Sequence, residues 1–171
     1  MLSVSVRNLD KFVESCDRWL EKTTDTVMHV ANGITVELFE QVLETSPQFS
    51  GDFAANWQYS INQVNTTFTE LNLQDDPDQG SFSAGDRTAI NYAKVMNKGR
   101  DSSYRLGDTF FVSNSAKHDE PYAILIENNQ INFRRWAGNR GETINHAVRT
   151  VMPRYDHISP MQARRLARKK L

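Results

Sequence analysis

The strongest constraint on this chain is an apolar periodicity that runs almost without interruption from Leu9 to Leu43. Apolar residues recur at Leu9, Phe12, Val13, Cys16, Trp19 and Leu20, and again at Val27, Val30, Ala31, Ile34, Leu38, Phe39, Val42 and Leu43. Steps of three and four residues place them on one face of a helix. Asn8 is a suitable cap at its start. Ser46-Pro47 ends it, because the residue before a proline is pushed out of the helical region. Thr23–Thr26 and Gly33 are weak points, so the pattern predicts a kink there or a division into two helices.

Downstream the period changes. Met1–Val6 is short and alternating, a strand or an extended lead-in. Pro47–Gly51 reads as a turn. Trp57, Tyr59 and Ile61 then alternate with Gln58, Ser60 and Asn62, which predicts a half-buried strand running on towards Phe68. Leu71–Phe82, rich in acid, Pro and Gly, reads as a loop. Ser83 with Asp86 resembles a helix start. Ala89, Ile90, Ala93 and Met96 form the apolar side of that helix, and Gly99 is a fitting stop. Thr109–Ser113 predicts a strand, central because it is apolar on both faces. Pro121–Glu127 is a second apolar element, Asn128-Asn129 a turn, and Ile131 and Phe133 begin a further strand. Glu142–Met152 predicts a helix with Ile144, Ala147, Val148 and Val151 on one face, ended by Pro153. Ser159-Pro160 opens a short basic helix.

With 171 residues, the chain is long enough for one domain and an arm. The expectation is an α+β domain over residues 1–153. It consists of a long N-terminal helix packed on a small, mainly antiparallel sheet, with two further helices. Residues 154–171 then form a basic C-terminal helix or arm. No stretch approaches the roughly 18 apolar residues of a membrane span, and the first residues lack a secretory pattern. A soluble protein made in a cytoplasm is expected. The single cysteine, Cys16, excludes an internal disulfide and a cysteine zinc site. Among Phe12, Val13, Trp19 and Leu20 it reads as a small buried apolar residue.

The net charge of −1 hides a segregation. Thr23–Asp86 holds no lysine or arginine but carries ten carboxylates, Glu70, Asp75, Asp76 and Asp78 among them. From Arg87 onward, 16 basic residues stand against 7 acidic ones, a balance of +9. Two complementary faces on one subunit suit head-to-tail packing of copies, because opposite potentials orient association. Such heterologous contacts close into rings when the rotation allows.

A catalytic cluster is hard to find. Ala137–Gly141 fits neither common phosphate-binding fingerprint. His29, His118, His146 and His157 lack the spacing of a metal-binding helix, and His118-Asp119-Glu120 reads as a solvated loop. No Gly-x-Ser-x-Gly elbow is present. No enzyme, cofactor or metal is therefore expected. The basic residues fall into two groups. One is Arg134, Arg135 and Arg140 around Trp136; the other is Arg164, Arg165, Arg168, Lys169 and Lys170. They suit docking on an acidic protein surface, a solvated tail, or contact with DNA phosphates.

Four stretches in order resemble the phage neck and tail-completion proteins, the family that includes the tail terminators of long-tailed phages. They are Val4–Asp10 before the long helix, Ser46–Trp57, Phe111–Ser115 and Pro121–Glu127. Ser46–Trp57 resembles the family's helix-to-strand corner, with Pro47 and Gly51 in the turn and Trp57 and Tyr59 in the strand. The other two resemble a late signature: a strand ending in Asn114, then Pro121-Tyr122-Ala123 and Glu127. The usual Glu-Tyr-Gly is here Glu127-Asn128-Asn129, the Leu71–Phe82 segment is longer than the corner needs, and the basic tail lies outside the pattern. The resemblance implies a structural virion protein made in the host cytoplasm. It would form a homo-oligomeric ring, a hexamer or alternatively a dodecamer, at the head–tail junction. Its neighbours would be connector or adaptor and tail-tube proteins, with packaged DNA passing through the channel and no membrane. In that setting Glu70, Asp75, Asp76 and Asp78 line the channel or an interface, and the basic groups dock on a neighbour. The alternative expectation is a nucleic-acid-binding accessory protein that uses the basic C-terminal half.

Overall fold

The computed structural model describes residues 9–47, 51–70, 87–116, 124–125 and 142–171. Helix α1 spans Leu9–Thr45, α2 Asp52–Ala55, α3 Thr88–Asn97, α4 Thr143–Val151 and α5 Pro160–Leu166. Strand β1 spans Trp57–Ile61 and β2 Phe110–Asn114; a 3-10 turn, Met152–Tyr155, follows α4. The two strands pair antiparallel, with Trp57 opposite Asn114 and Ile61 opposite Phe110. The result is the expected α+β arrangement, a long N-terminal helix laid on a small antiparallel sheet with further helices around it. Among the described residues no helix is long and apolar enough to cross a membrane.

The core forms where the C-terminal half of α1 meets the sheet. Val36, Phe39, Val42 and Leu43 pack with Phe53, Trp57, Tyr59, Ala89, Ile90, Ala93 and Ala147. Apolar burial of this kind is the main favourable term in folding. α1 is one continuous helix. Neither Thr23–Thr26 nor Gly33 divides it; within it Thr23, Thr26 and Thr35 hydrogen-bond back to the carbonyl four residues earlier.

Gly33 has another use. A Cβ there would collide with the backbone carbonyl of Leu166, so the missing side chain lets α5 press directly onto α1. The segment from Arg154 to Leu171 is accordingly packed on the domain. Leu166 is buried and Leu171 packs against the core. α5 opens with a full capping box. Gln162 donates its backbone N–H to Ser159 Oγ, and Ser159 donates its own backbone N–H to the Gln162 side chain.

Several expectations need correction. The apolar face of α1 is buried only from Met28 onward; Phe12, Val13, Trp19, Leu20 and Val27 are exposed and Cys16 is half-buried. β1 stops at Ile61, because Asn62 turns the chain at a positive φ of 62°. Its outward-facing Gln58 is buried, held by Thr67, Asn65 and Arg100. β2 was expected to be central, yet among the described residues it pairs with β1 alone. In α3, Met96 points outward and Asn97 takes the buried position. In α4 the buried face is Thr143, Ala147 and Val151, while Ile144 and Val148 are exposed. The expectations for Met1–Asn8, Leu71–Asp86, Lys117–Ala123 and Ile126–Gly141 lie outside the described residues.

Candidate assembly surface

Among the described residues, the helix-to-strand corner brings Ser46 and Pro47 together with Gly51–Trp57. α1 ends at Thr45, and Ser46 Oγ donates to the Val42 carbonyl at 2.6 Å. Trp57 Nε1 then donates to Ser46 Oγ at 2.6 Å, which pins the first residue of β1 to the last turn of the helix. Pro47 is buried. Gly51 has a φ of 86°, a left-handed conformation that glycine adopts without steric cost. Phe53 meets Trp57 edge to face, with ring centroids 5.7 Å apart.

The late-signature strand closes on this same corner. Asn114 lies opposite Trp57, donates its side-chain amide to the Phe53 carbonyl at 2.8 Å, and accepts from Ala116 N. Ser115 N donates to the Asn56 carbonyl. Two stretches, in which Asn114 stands 61 positions after Phe53, therefore meet in one hydrogen-bonded unit.

The other edge of β1 is covered by Asn97. Its side chain accepts from Tyr59 N at 2.8 Å and donates to the Trp57 carbonyl at 3.0 Å, occupying the bonds a third strand would make. The Tyr59 hydroxyl donates to Asn32 Oδ1, and Asn32 Nδ2 points to Asp101 Oδ2, which accepts from Leu171 N at 3.1 Å. Burial, with Asp101 nearby, pushes the Tyr59 phenol well above its ordinary value. Beside this network lies a cleft of about 330 Å³, lined in part by His29, Tyr104, Asp101 and Lys169. His29 Nδ1 and the Tyr104 hydroxyl form a hydrogen bond across it. Among the described residues no group of three metal-ligating side chains comes together.

Electrostatically, α1 is the acidic partner of the C-terminal segment. Glu37 takes Arg154 at 2.8 Å, Lys169 at 3.3 Å and a hydrogen bond from the Tyr155 hydroxyl. Glu40 takes Lys169 at 3.1 Å. Burial alone would raise the Glu37 carboxyl; the Tyr155 hydroxyl, Lys169 and Arg154 outweigh it and hold the group below its ordinary value. Tyr155 is pushed up to about 12 by burial and by Glu37. Glu44 binds Arg87 and Lys94, and the Arg87 hydrogen bonds lead in lowering its carboxyl. Part of the charge segregation along the sequence is thus neutralised within the chain itself.

Of the expected basic residues, Lys169 is bound inward, while Arg164, Arg165, Arg168 and Lys170 are exposed. Glu70 is exposed too. Asp75, Asp76, Asp78, Arg134, Arg135, Arg140, Pro121, Tyr122 and Glu127 lie outside the described residues. Sequence reasoning missed Asn32, Asn97 and Asp101. Polar residues at helical or loop positions carry no periodic signal, and only their burial in the fold reveals their role. It also missed two exposed apolar stripes, one on the first half of α1 and one on the outer side of α4. No family model, no curated protein and no solved structure matches this chain.

Proposed function

We propose that this chain is a structural subunit of a phage particle. It assembles into a ring at the head–tail junction that completes the tail and joins it to the head connector. The observation that carries the reading is the meeting of Trp57 with Asn114. The corner Ser46–Trp57 and the stretch Phe111–Ser115 each carry part of the resemblance, and they are cross-strand neighbours locked by the Asn114–Phe53 hydrogen bond. Motif residues that form one unit in space are the pattern expected of a family's folding signature.

The work of such a subunit is done by shape and contact rather than by bond chemistry. Its exposed apolar stripes fit that role, since apolar patches rimmed by polar residues commonly mark protein contacts. The exposed arginines of α5 belong to the docking surface for a neighbouring neck or tail protein. Light scattering followed by negative-stain imaging tests the reading. Closed rings, alone or on addition of purified tails, are the expected result. A protein that remains monomeric under both conditions would contradict it. So would tight binding of duplex DNA by the monomer that is lost on truncation after Pro160.

A further inference from the structure

Among the described residues nothing covers the first half of α1. From Lys11 to Val27 every residue is exposed except Cys16 and Thr24, which are half-buried. At about 1.5 Å per residue this segment is roughly 25 Å long. Its apolar residues are large: Phe12 is 66% exposed, Trp19 65%, Leu20 55% and Val27 58%. They share one face, because steps of three, four and seven residues return to the same side of a helix. Asp17 and Glu21 border that face on the side of Val13 and Leu20, Lys11, Arg18 and Lys22 on the side of Phe12 and Trp19, and none of the five forms an ion pair with a described residue.

A second exposed apolar face lies on the far side of α4. Ile144, Val148 and Met152, each four residues from the next, are 42–45% exposed. Further on, Met161 is 81% exposed. Arg149 borders this stripe, and Arg165 and Arg168 are exposed beyond it, with no ion pair to a described residue.

The subunit itself shows how these two kinds of surface combine. The second half of α1 is covered by α4 and α5 of the same chain. Apolar residues fill that contact, and acids on α1 meet bases on the C-terminal segment: Glu37 with Arg154 and Lys169, Glu40 with Lys169. The first half of α1 continues the same apolar seam and has an acidic border on the side of Val13 and Leu20. The outer side of α4 offers an apolar stripe and a basic border. Pairing two arms antiparallel would set the acidic border against its own copy and the basic border against its own, and like charges across an interface repel. We infer that the Lys11–Val27 arm docks on the outer face of α4 and the following turn of a second copy of this chain. Each α4 is then held between its own α1 and its neighbour's.

This contact is heterologous, so it repeats from copy to copy and generates a ring or a filament. It deepens the ring reading and rests on that reading only for closure. Two surface variants test it, Trp19→Asp on the arm and Val148→Asp on α4. Both sites are exposed, so each variant should keep the wild-type melting temperature. Each alone should fall to a monomer by light scattering. Mixed in equal amounts they should form a dimer, because one intact arm meets one intact face. If Trp19→Asp leaves the wild-type assembly unchanged, the inference is overturned. It is overturned too if Trp19→Asp dissociates the assembly and Val148→Asp does not.

A photo-crosslinker on the native Cys16, in a mixture of isotope-labelled and unlabelled protein, supplies the second readout. The expected cross-links join Cys16 to residues 142–161 of another copy. Closed rings with cross-links elsewhere keep the ring reading and remove this contact. Open filaments with the expected cross-links keep the contact and remove the ring. A wild-type chain that stays monomeric removes both.

Discussion

The two halves of α1 have the same periodicity and opposite surroundings. Met28–Thr45 is a core helix: Val36, Phe39 and Leu43 have no exposed surface. Lys11–Val27 carries residues of equal or greater bulk, and they stand in water. The difference does not lie in the pattern, which continues from one half into the other. It lies in how much of the chain comes back to cover each half. β1, β2, α3, α4 and α5 all pack on α1, and they pack along its second half. An apolar face declares that it wants a cover; it does not declare whose.

The two halves should respond differently to the same kind of change, and the largest difference is at the aromatic positions. Phe39→Ala leaves a cavity in the core and should cost about 3–5 kcal/mol in chemical denaturation. Gly33→Ala should come next. Its added methyl meets the Leu166 backbone, and overpacking of this type costs about 1–3 kcal/mol. The expected signature is release of α5, read as faster proteolysis after Ser159.

The acidic contacts of the second half come third. Glu37→Gln should lose about 1 kcal/mol or less, since partly exposed ion pairs contribute little. Its sign with pH is definite. Glu37 and Glu44 are both held below their ordinary value of 4.5, so the stability they contribute is present above that value. It is lost as pH falls through their lower folded values. Tyr155 works in the opposite direction. Raised from 10.0 to about 12, it contributes stability that is present below 10 and lost as pH rises towards 12. Denaturation midpoints followed from neutral pH into the carboxylate range should fall more steeply for the wild type than for Glu37→Gln.

The smallest effect belongs to the arm. Phe12→Ser and Trp19→Ser should change the stability of the subunit by about 0.5 kcal/mol or less, as at other exposed sites. A loss as large as that of Phe39→Ala would mean that the arm is part of the core and would end the distinction between the halves.

Much of the architecture could be read in advance. Leu9–Leu43 announced α1, Ser46-Pro47 its end, Trp57-Tyr59-Ile61 the first strand, and Ser159-Pro160 the capped terminal helix. These signals are local, so one sequence suffices to see them. The errors came where a side chain's fate depends on what packs over it. Ile144 and Val148 were placed inward with Ala147 and Val151, but a short helix on the surface buries only one narrow row. Thr143 took the inner place because it lies on that row. Asn97 was passed over for Met96, yet only its amide can satisfy both the Tyr59 N–H and the Trp57 carbonyl on the open edge of β1. Gly33, a weak point in α1 by helix propensity, is the position that lets α5 approach it. The proposed assembly surface is legible in the sequence only as charge. The split between an acidic first half and a basic second half was visible, but its partial neutralisation through Glu37, Glu40 and Glu44 needed the fold.

The central claim is that one half of α1 holds the subunit together and the other half holds its neighbour. Amide hydrogen exchange along α1, measured on dilute subunits and on the assembled protein, tests it most directly. A lone helical segment of this length is marginal in water. Residues 11–27 should therefore exchange rapidly in the dilute subunit and slowly in the assembly, while residues 28–45 stay protected in both. Rapid exchange of residues 11–27 in the assembly as well, or slow exchange in both states, would contradict the account.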